Sequence, residues 1–242
     1  MKLSICAIAA LAVGSFAMPA AANLVQNGSF EVLTSGIGQL GYNTNAVGWT
    51  TNGYNFVFGG SSADTAGSNG VYGNLTLYGP GNGHANGLGP SPFGGNFVGA
   101  DGAFQQGAIT QQLTGLVVGH RYAIDFSWAG AQQNGFNGVQ HESWDVKLGG
   151  AATQSTADYV NPTAGFSGWR HEHFVFVADA TTATLSFLAQ GSPQGVPPFS
   201  LLDGVSGNAV PEPATWALML GGLGLVGGAL RSRRRSMTTV AA

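Results

Sequence analysis

His171-Glu172-His173 is the one place in this 242-residue chain where two imidazoles stand two positions apart. On an extended strand, residues i and i+2 face the same way, so the pair can offer two nitrogen ligands to a metal. A third ligand would have to come from elsewhere, and His141-Glu142 is the other cluster of this kind. The commoner origin of such a pattern is a strand with one polar, solvated face. No nucleophile constellation accompanies it. The chain has no Gly-x-Ser-x-Gly, no His-Glu-x-x-His and no phosphate-binding loop, so the sequence nominates no catalytic residue. A pair of acids for glycoside hydrolysis could converge in space, but spacing selects no pair. Aromatic residues beside amide-rich loops suggest a different chemistry. Trp49, Tyr54, Tyr72, Tyr78, Phe93, Phe136 and Tyr159 lie near such loops, and Gln132, Gln133, Asn134, Asn137 and Gln140 supply amides. Flat rings against sugar faces, with amides on the hydroxyls, would bind a glycan; which of these residues would do so is not fixed by spacing. The competing role is core filling, which Trp49, Trp128, Trp144 and Trp169 are expected to perform.

The charge balance narrows the partners. Between residues 23 and 208 only Arg121, Lys147 and Arg170 are basic, against ten acids, a formal balance of −7. Three scattered cations build no basic surface, which excludes nucleic acid as a partner. Neutral glycans and divalent cations are compatible. The single cysteine, Cys6, precedes most of an apolar leader, so the rest of the chain has neither disulfide nor thiolate metal site.

The two ends read as addresses. Residues 1–22 carry Lys2, an apolar run from Leu3 to Met18, and Ala20-Ala21-Ala22, the pattern of a signal peptide that signal peptidase cleaves before Asn23. The other end reads Val210-Pro211-Glu212-Pro213, an apolar span over 214–230 with five glycines, then Arg231, Arg233, Arg234 and Arg235. The span is shorter than the ~20 residues that cross a bilayer comfortably, and the arginines would hold its end in the cytoplasm. It reads as a single, transient transmembrane helix. These ordered features resemble the PEP-CTERM sorting signal of Gram-negative bacteria. The resemblance implies that residues 209–235 are a sorting signal, with 236–242 a tail, and that an exosortase processes the protein near Pro211-Glu212-Pro213. It further implies export to the envelope, the outer surface or the medium, and an association with exopolysaccharide and biofilm.

Residues 23–208 must then position whatever chemistry remains. Arg121–Trp128 alternates, with Tyr122, Ile124, Phe126 and Trp128 on one face; Ser143–Leu148 repeats this with Trp144, Val146 and Leu148. Trp169–Ala178, Thr182–Ala189 and Phe199–Val205 read as further strands. Earlier strands are expected at Leu24–Val25, Val47–Thr50, Tyr54–Phe58, Asn74–Tyr78 and Gly95–Gly99, with long loops over 59–70, 79–94, 130–141 and 191–198. Strands at this spacing without helices predict an all-β jelly-roll β-sandwich. The opening Asn-Leu-Val-Gln-Asn-Gly-Ser-Phe-Glu (23–31), the Gly48-Trp49 pair and the closing Phe199-Ser-Leu-Leu-Asp203-Gly-Val-Ser resemble the galactose-binding-like fold, which includes many carbohydrate-binding modules. The resemblance implies neighbouring first and last strands and a structural calcium ion, for which Glu31 and Asp203 would be ligands. Gly204 stands where relatives often carry a second acid. The reading for the whole is a non-enzymatic, exported surface or matrix protein whose domain is either a glycan binder or a structural module; the alternative is a secreted glycan-active hydrolase on the same scaffold.

Overall fold

The computed structural model describes residues 23–211 and, in the tail, residues 221–222 and 224–225. The leader, most of the apolar span, Glu212, Pro213 and the four arginines lie outside the described residues. No helix among the described residues is long and apolar enough to cross a membrane.

The described chain forms twelve strands. They are β1 (Asn55–Gly59), β2 (Ser68–Gly70), β3 (Gly73–Leu75), β4 (Asn96–Asp101), β5 (Ile109–Thr114), β6 (Arg121–Gln132), β7 (Gln140–Leu148), β8 (Gln154–Ser155), β9 (Tyr159–Asn161), β10 (Arg170–Val177), β11 (Thr182–Ser192) and β12 (Pro198–Ala209). One sheet has the order β1-β4-β12-β6-β10; the other has β5-β11-β7-β8, with β9 also on β7; β2 and β3 form a separate ribbon. All pairings between these strands are antiparallel. From β4 to β7, and again from β10 to β12, the chain crosses to the opposite sheet at every step. That alternation makes two closed layers of a jelly-roll kind, as the turn spacing predicts.

The alternating residues explain the main core. Ile124, Phe126 and Trp128 of β6 face Trp144, Val146 and Leu148 of β7 and Leu185 and Phe187 of β11 between the sheets. The β1-β4-β12-β6-β10 sheet is also buried on its other face. Phe56, Phe58, Phe97, Phe199 and Leu201 point away from the first core and pack beneath Ala63, Leu75, Leu77 and Leu88. The segment from Gly60 to Pro90, expected as open loop around one strand, is thus a cover with its own core. Trp49, Trp128 and Trp144 are buried in the first core, and Trp169 packs partly buried against the second, the core role expected of them.

Residues 23–30 run beside β12 without forming a strand of their own. Leu24 N–H donates to Gly207 O (2.8 Å), Val205 N–H to Gly28 O (2.9 Å), and the Asn23 side chain accepts from Gly207 N–H (2.9 Å). The beginning and end of the domain therefore do lie together. Val47–Thr50 is not a strand either: Gly48 has φ +87°, Trp49 N–H closes a turn onto Ala46 O, and only Thr50 bridges, to Thr110.

Candidate functional site

Beside β1 and β4 of the β1-β4-β12-β6-β10 sheet lies a cavity of about 380 Å³. Its walls come from distant parts of the sequence. Tyr54 precedes β1, Tyr72 sits in the β2–β3 turn, Asp101 ends β4, Phe104 follows it, and Gln133, Phe136 and Pro197 come from the β6–β7 and β11–β12 connections. Backbone bonds hold these pieces in place: Asp101 N–H donates to Tyr54 O (3.2 Å) and Tyr54 N–H to Gln105 O (2.9 Å). The rings support one another. Tyr54 meets Phe104 edge to face at 5.2 Å and tilts against Tyr72 at 5.8 Å; Tyr72 and Phe104 are 5.9 Å apart. The Gln105 amide donates to the Tyr72 hydroxyl (3.0 Å). Tyr54 is buried, whereas Tyr72 is 65% and Phe104 44% exposed, so two outer rings stand on a buried third.

Asp101 is the acid of this cavity. Its Oδ1 accepts from Ala103 N–H (2.8 Å) and Phe104 N–H (3.1 Å). No donor from the protein reaches Oδ2 among the described residues. Burial raises its pKa to about 6, against the two backbone bonds, which lower it. The Tyr54 hydroxyl is also raised, by burial first and then by the Asp101 charge.

Of the aromatics flagged in the sequence, Tyr54, Tyr72 and Phe136 meet here, and of the amides, Gln133. Trp49 is in the core, where its indole donates to Asn27 O (3.0 Å). Tyr78 is buried against His84, Phe93 rests on Gly204, and Tyr159 stacks under the Arg170 guanidinium at 4.4 Å. Gln132 and Gln140 are fully buried, and Asn134 bonds to Thr76. Phe104 and Asp101 complete the cavity, and neither was expected in it. The usable signal was Asp101-Gly102-Ala103-Phe104, an acid and an aromatic around small residues at a strand end.

The expected calcium ligands lie at the junction of the chain ends. Glu31 Oε1 accepts from Asn96 N–H (2.7 Å). Asp203 is buried; Ser91 Oγ bonds to its Oδ2, and Gly204 N–H donates to Oδ1 (2.7 Å). Burial is the main cause raising the Asp203 pKa to about 7, and the charge of Glu31 raises it further. Both carboxyls accept donors from the protein, and no cationic side chain pairs with either among the described residues. Gly204 has φ +62° and the Phe93 ring lies directly over it, so a second acid there would be strained and obstructed.

The histidines separate. His171 and His173 share a face of β10 with Asp125 of β6, whose Oδ1 is 3.6 Å from His171 Nε2 and 2.6 Å from His173 Nδ1. His141 lies on the other sheet, 2.6 Å from Asp158, and Glu142 turns inward. Among the described residues no group of three His, Cys, Asp or Glu side chains is arranged to hold a metal.

Residues 209–235 match the PEP-CTERM protein-sorting motif. The motif implies exosortase processing and a secreted, cell-surface protein. Pro211, its described proline, is exposed just beyond the end of β12. No curated protein matches the chain. Among solved structures the chain is similar to TmCBM61, solved with β-1,4-galactotriose, at 14% identity and a TM-score of 0.43, over 78% of this chain and 99% of that one. It is also similar to the CBM22-1 xylan-binding domain of Paenibacillus barcinonensis Xyn10C, at 14% identity and a TM-score of 0.39, over 81% and 99%. A family 16 carbohydrate-binding module shows 12% identity and a TM-score of 0.34, over 76% and 99%. The assignment of the fold rests on the strand order described above.

Proposed function

We propose that this is an exported, exosortase-sorted surface or matrix protein whose aromatic cavity binds a neutral glycan of the surrounding exopolysaccharide or biofilm. The single observation that carries glycan binding is the Tyr72–Phe104–Phe136 wall beside Asp101 and Gln133. Exposed rings on a rigid base suit the apolar face of a pyranose, and a carboxylate and an amide suit its hydroxyls. The excess of acids disfavours an anionic polysaccharide. Hydrolysis is the alternative, and it needs a second carboxyl group across the bond to be cut. Asp101 is the one acid in the cavity wall among the described residues, which supports retention over cleavage. The Glu31–Asp203 junction is proposed as a structural calcium site that ties residues 23–31 to β12. Signal peptidase would remove the leader, and the apolar span would hold the chain in the inner membrane until exosortase acts.

The test is a glycan-array screen of the full chain, followed by calorimetry of any neutral oligosaccharide retained. Weaker binding in Tyr72→Ala and in Asp101→Asn supports the reading. Absence of retained glycans, or binding indifferent to both changes, refutes it. Shortening of a retained oligosaccharide would support the hydrolase instead.

A further inference from the structure

Away from the aromatic cavity, the interior of the sandwich turns polar at one end of β7. The inward row of this strand is apolar at Trp144, Val146 and Leu148, but it begins with Gln140 and Glu142, both fully buried. Asn161 of β9, directly opposite Gln140, is also fully buried. Gln140 Oε1, Glu142 Oε2 and Asn161 Oδ1 have no hydrogen-bond partner. Their orientation is fixed from behind. The Gln140 amide nitrogen donates to Ala131 O (3.0 Å), and that of Asn161 donates to Glu142 Oε1 (3.2 Å) and Gly165 O (3.3 Å). Flipping either amide would set oxygen against oxygen, so the three orphaned oxygens stay where they are. Two glycines leave the room they occupy. A Cβ on Gly130 would collide with Glu142 Oε2, and one on Gly165 with Asn161 Oδ1.

Buried acceptors are normally satisfied, and a buried carboxylate normally has a cation. Here every ion pair among the described residues involves a histidine, and none involves Glu142. Burial first, and the nearby Asp158 charge last, push the Glu142 pKa well above the usual carboxylate range, against the Asn161 bond. Three unpaired oxygens, one of them carboxylate, are hard donors of the kind calcium takes, carried by neighbouring positions of paired β7 and β9.

We propose that Gln140 Oε1, Glu142 Oε2 and Asn161 Oδ1 form a buried calcium site that clamps β9 to β7, separate from the Glu31–Asp203 junction. The site needs neither the glycan reading nor the sorting tail. Main-chain carbonyls or water complete the coordination, as in other calcium sites. Its role is structural: β9 is a three-residue edge strand, and the ion would hold it and the 162–169 connection that leads into β10.

The experiment counts ions. The full chain carrying Glu31→Gln and Asp203→Asn is stripped with chelator and titrated with calcium by calorimetry, and terbium luminescence sensitised by Trp144 and Tyr159 reads the site directly. One bound ion is expected, lost on adding Glu142→Gln. That substitution is isosteric, and its amide can donate to the orphaned oxygens, so the fold is expected to persist; circular dichroism checks it. If the Glu31/Asp203 variant does not fold, native mass spectrometry of wild type against Glu142→Gln gives the same answer, with one calcium fewer in the variant. Calcium uptake unchanged by Glu142→Gln overturns the proposal. So does a folded chain that takes no ion in the Glu31/Asp203 background, or one that takes only sodium or potassium, because the carboxyl is then a neutral acid or a monovalent site.

Discussion

Asp101 makes the stability of this protein depend on pH in a direction opposite to that of a salt-bridged acid. Its carboxyl titrates near 3.8 in an unfolded chain and at about 6 when folded, chiefly because burial disfavours the charge. The folded state thus holds the proton more tightly. Its contribution is fully present below pH ~3.8 and is lost as pH rises through ~6. The difference of about 2 pH units corresponds to about 3 kcal/mol at 1.36 kcal/mol per unit. Asp101→Asn removes the titration and keeps the oxygen that accepts from Ala103 and Phe104 N–H. Urea unfolding of both proteins at half-unit steps from pH 4 to pH 8, with calcium held constant, yields the difference between their stabilities. That difference cancels the other titrating acids. Relative to Asn, wild type is expected to lose about 3 kcal/mol, with most of the change centred between pH 4 and 6. Parallel curves would refute the reasoning, and so would a wild type that gains on the variant as pH rises. Either result would mean that Asp101 is hydrated in the folded protein.

Three other outcomes follow from single contacts. Tyr72→Ala is expected to weaken glycan binding about five- to tenfold, about 1 to 1.4 kcal/mol, with the thermal midpoint nearly unchanged because the ring is largely exposed; calorimetry and a melt check both. Gly204→Asp, which restores the second acid of the related pattern, is expected to destabilise by about 1–3 kcal/mol in urea, since it strains a left-handed residue and displaces Phe93. Replacing Pro211-Glu212-Pro213 by alanines is expected to leave the apolar tail on the protein in exosortase-bearing cells, seen by intact mass of the envelope fraction; a wild-type mass that also includes the tail would refute processing.

The elements legible in the sequence were those whose two faces differ. β6 and β7 alternate because one face meets the inter-sheet core, and their inner rows are where the pattern put them. β5 passed unread because Gln111 sits in its inner row, buried, where it trades two bonds with the Gln26 backbone (2.7 and 2.8 Å). A polar residue satisfied by a distant segment erases the apolar period. β9 is too short to show one. The cover over residues 60–90 was also hidden, since its burying residues, Ala63, Leu75, Leu77 and Leu88, are too sparse to signal a second core. The cavity was half legible: aromatic type picked out Tyr54, Tyr72 and Phe136, but only the fold joins them to Asp101 and Phe104, which lie up to fifty residues away along the chain.

The charge count acquires a physical meaning once burial is known. Three of the ten acids in residues 23–208, Asp101, Glu142 and Asp203, are buried. The three bases of that stretch do not reach them: Arg121 and Lys147 are exposed, and Arg170 lies over the Tyr159 and Trp128 rings. With no guanidinium or ammonium to pair with, such carboxyls must hold a proton, accept backbone N–H donors, or bind a metal ion. All three have raised pKa values, so protons alone serve at low pH and fail as pH rises. Calcium at the Glu142 and Asp203 sites would take over where the proton leaves. Stabilisation by calcium should therefore grow from pH 5 to pH 8, because metal and proton compete for the same oxygens. Melts with calcium or chelator across that range check the point. A calcium effect of equal size at both ends, or none at pH 8, would separate the buried acids from any metal.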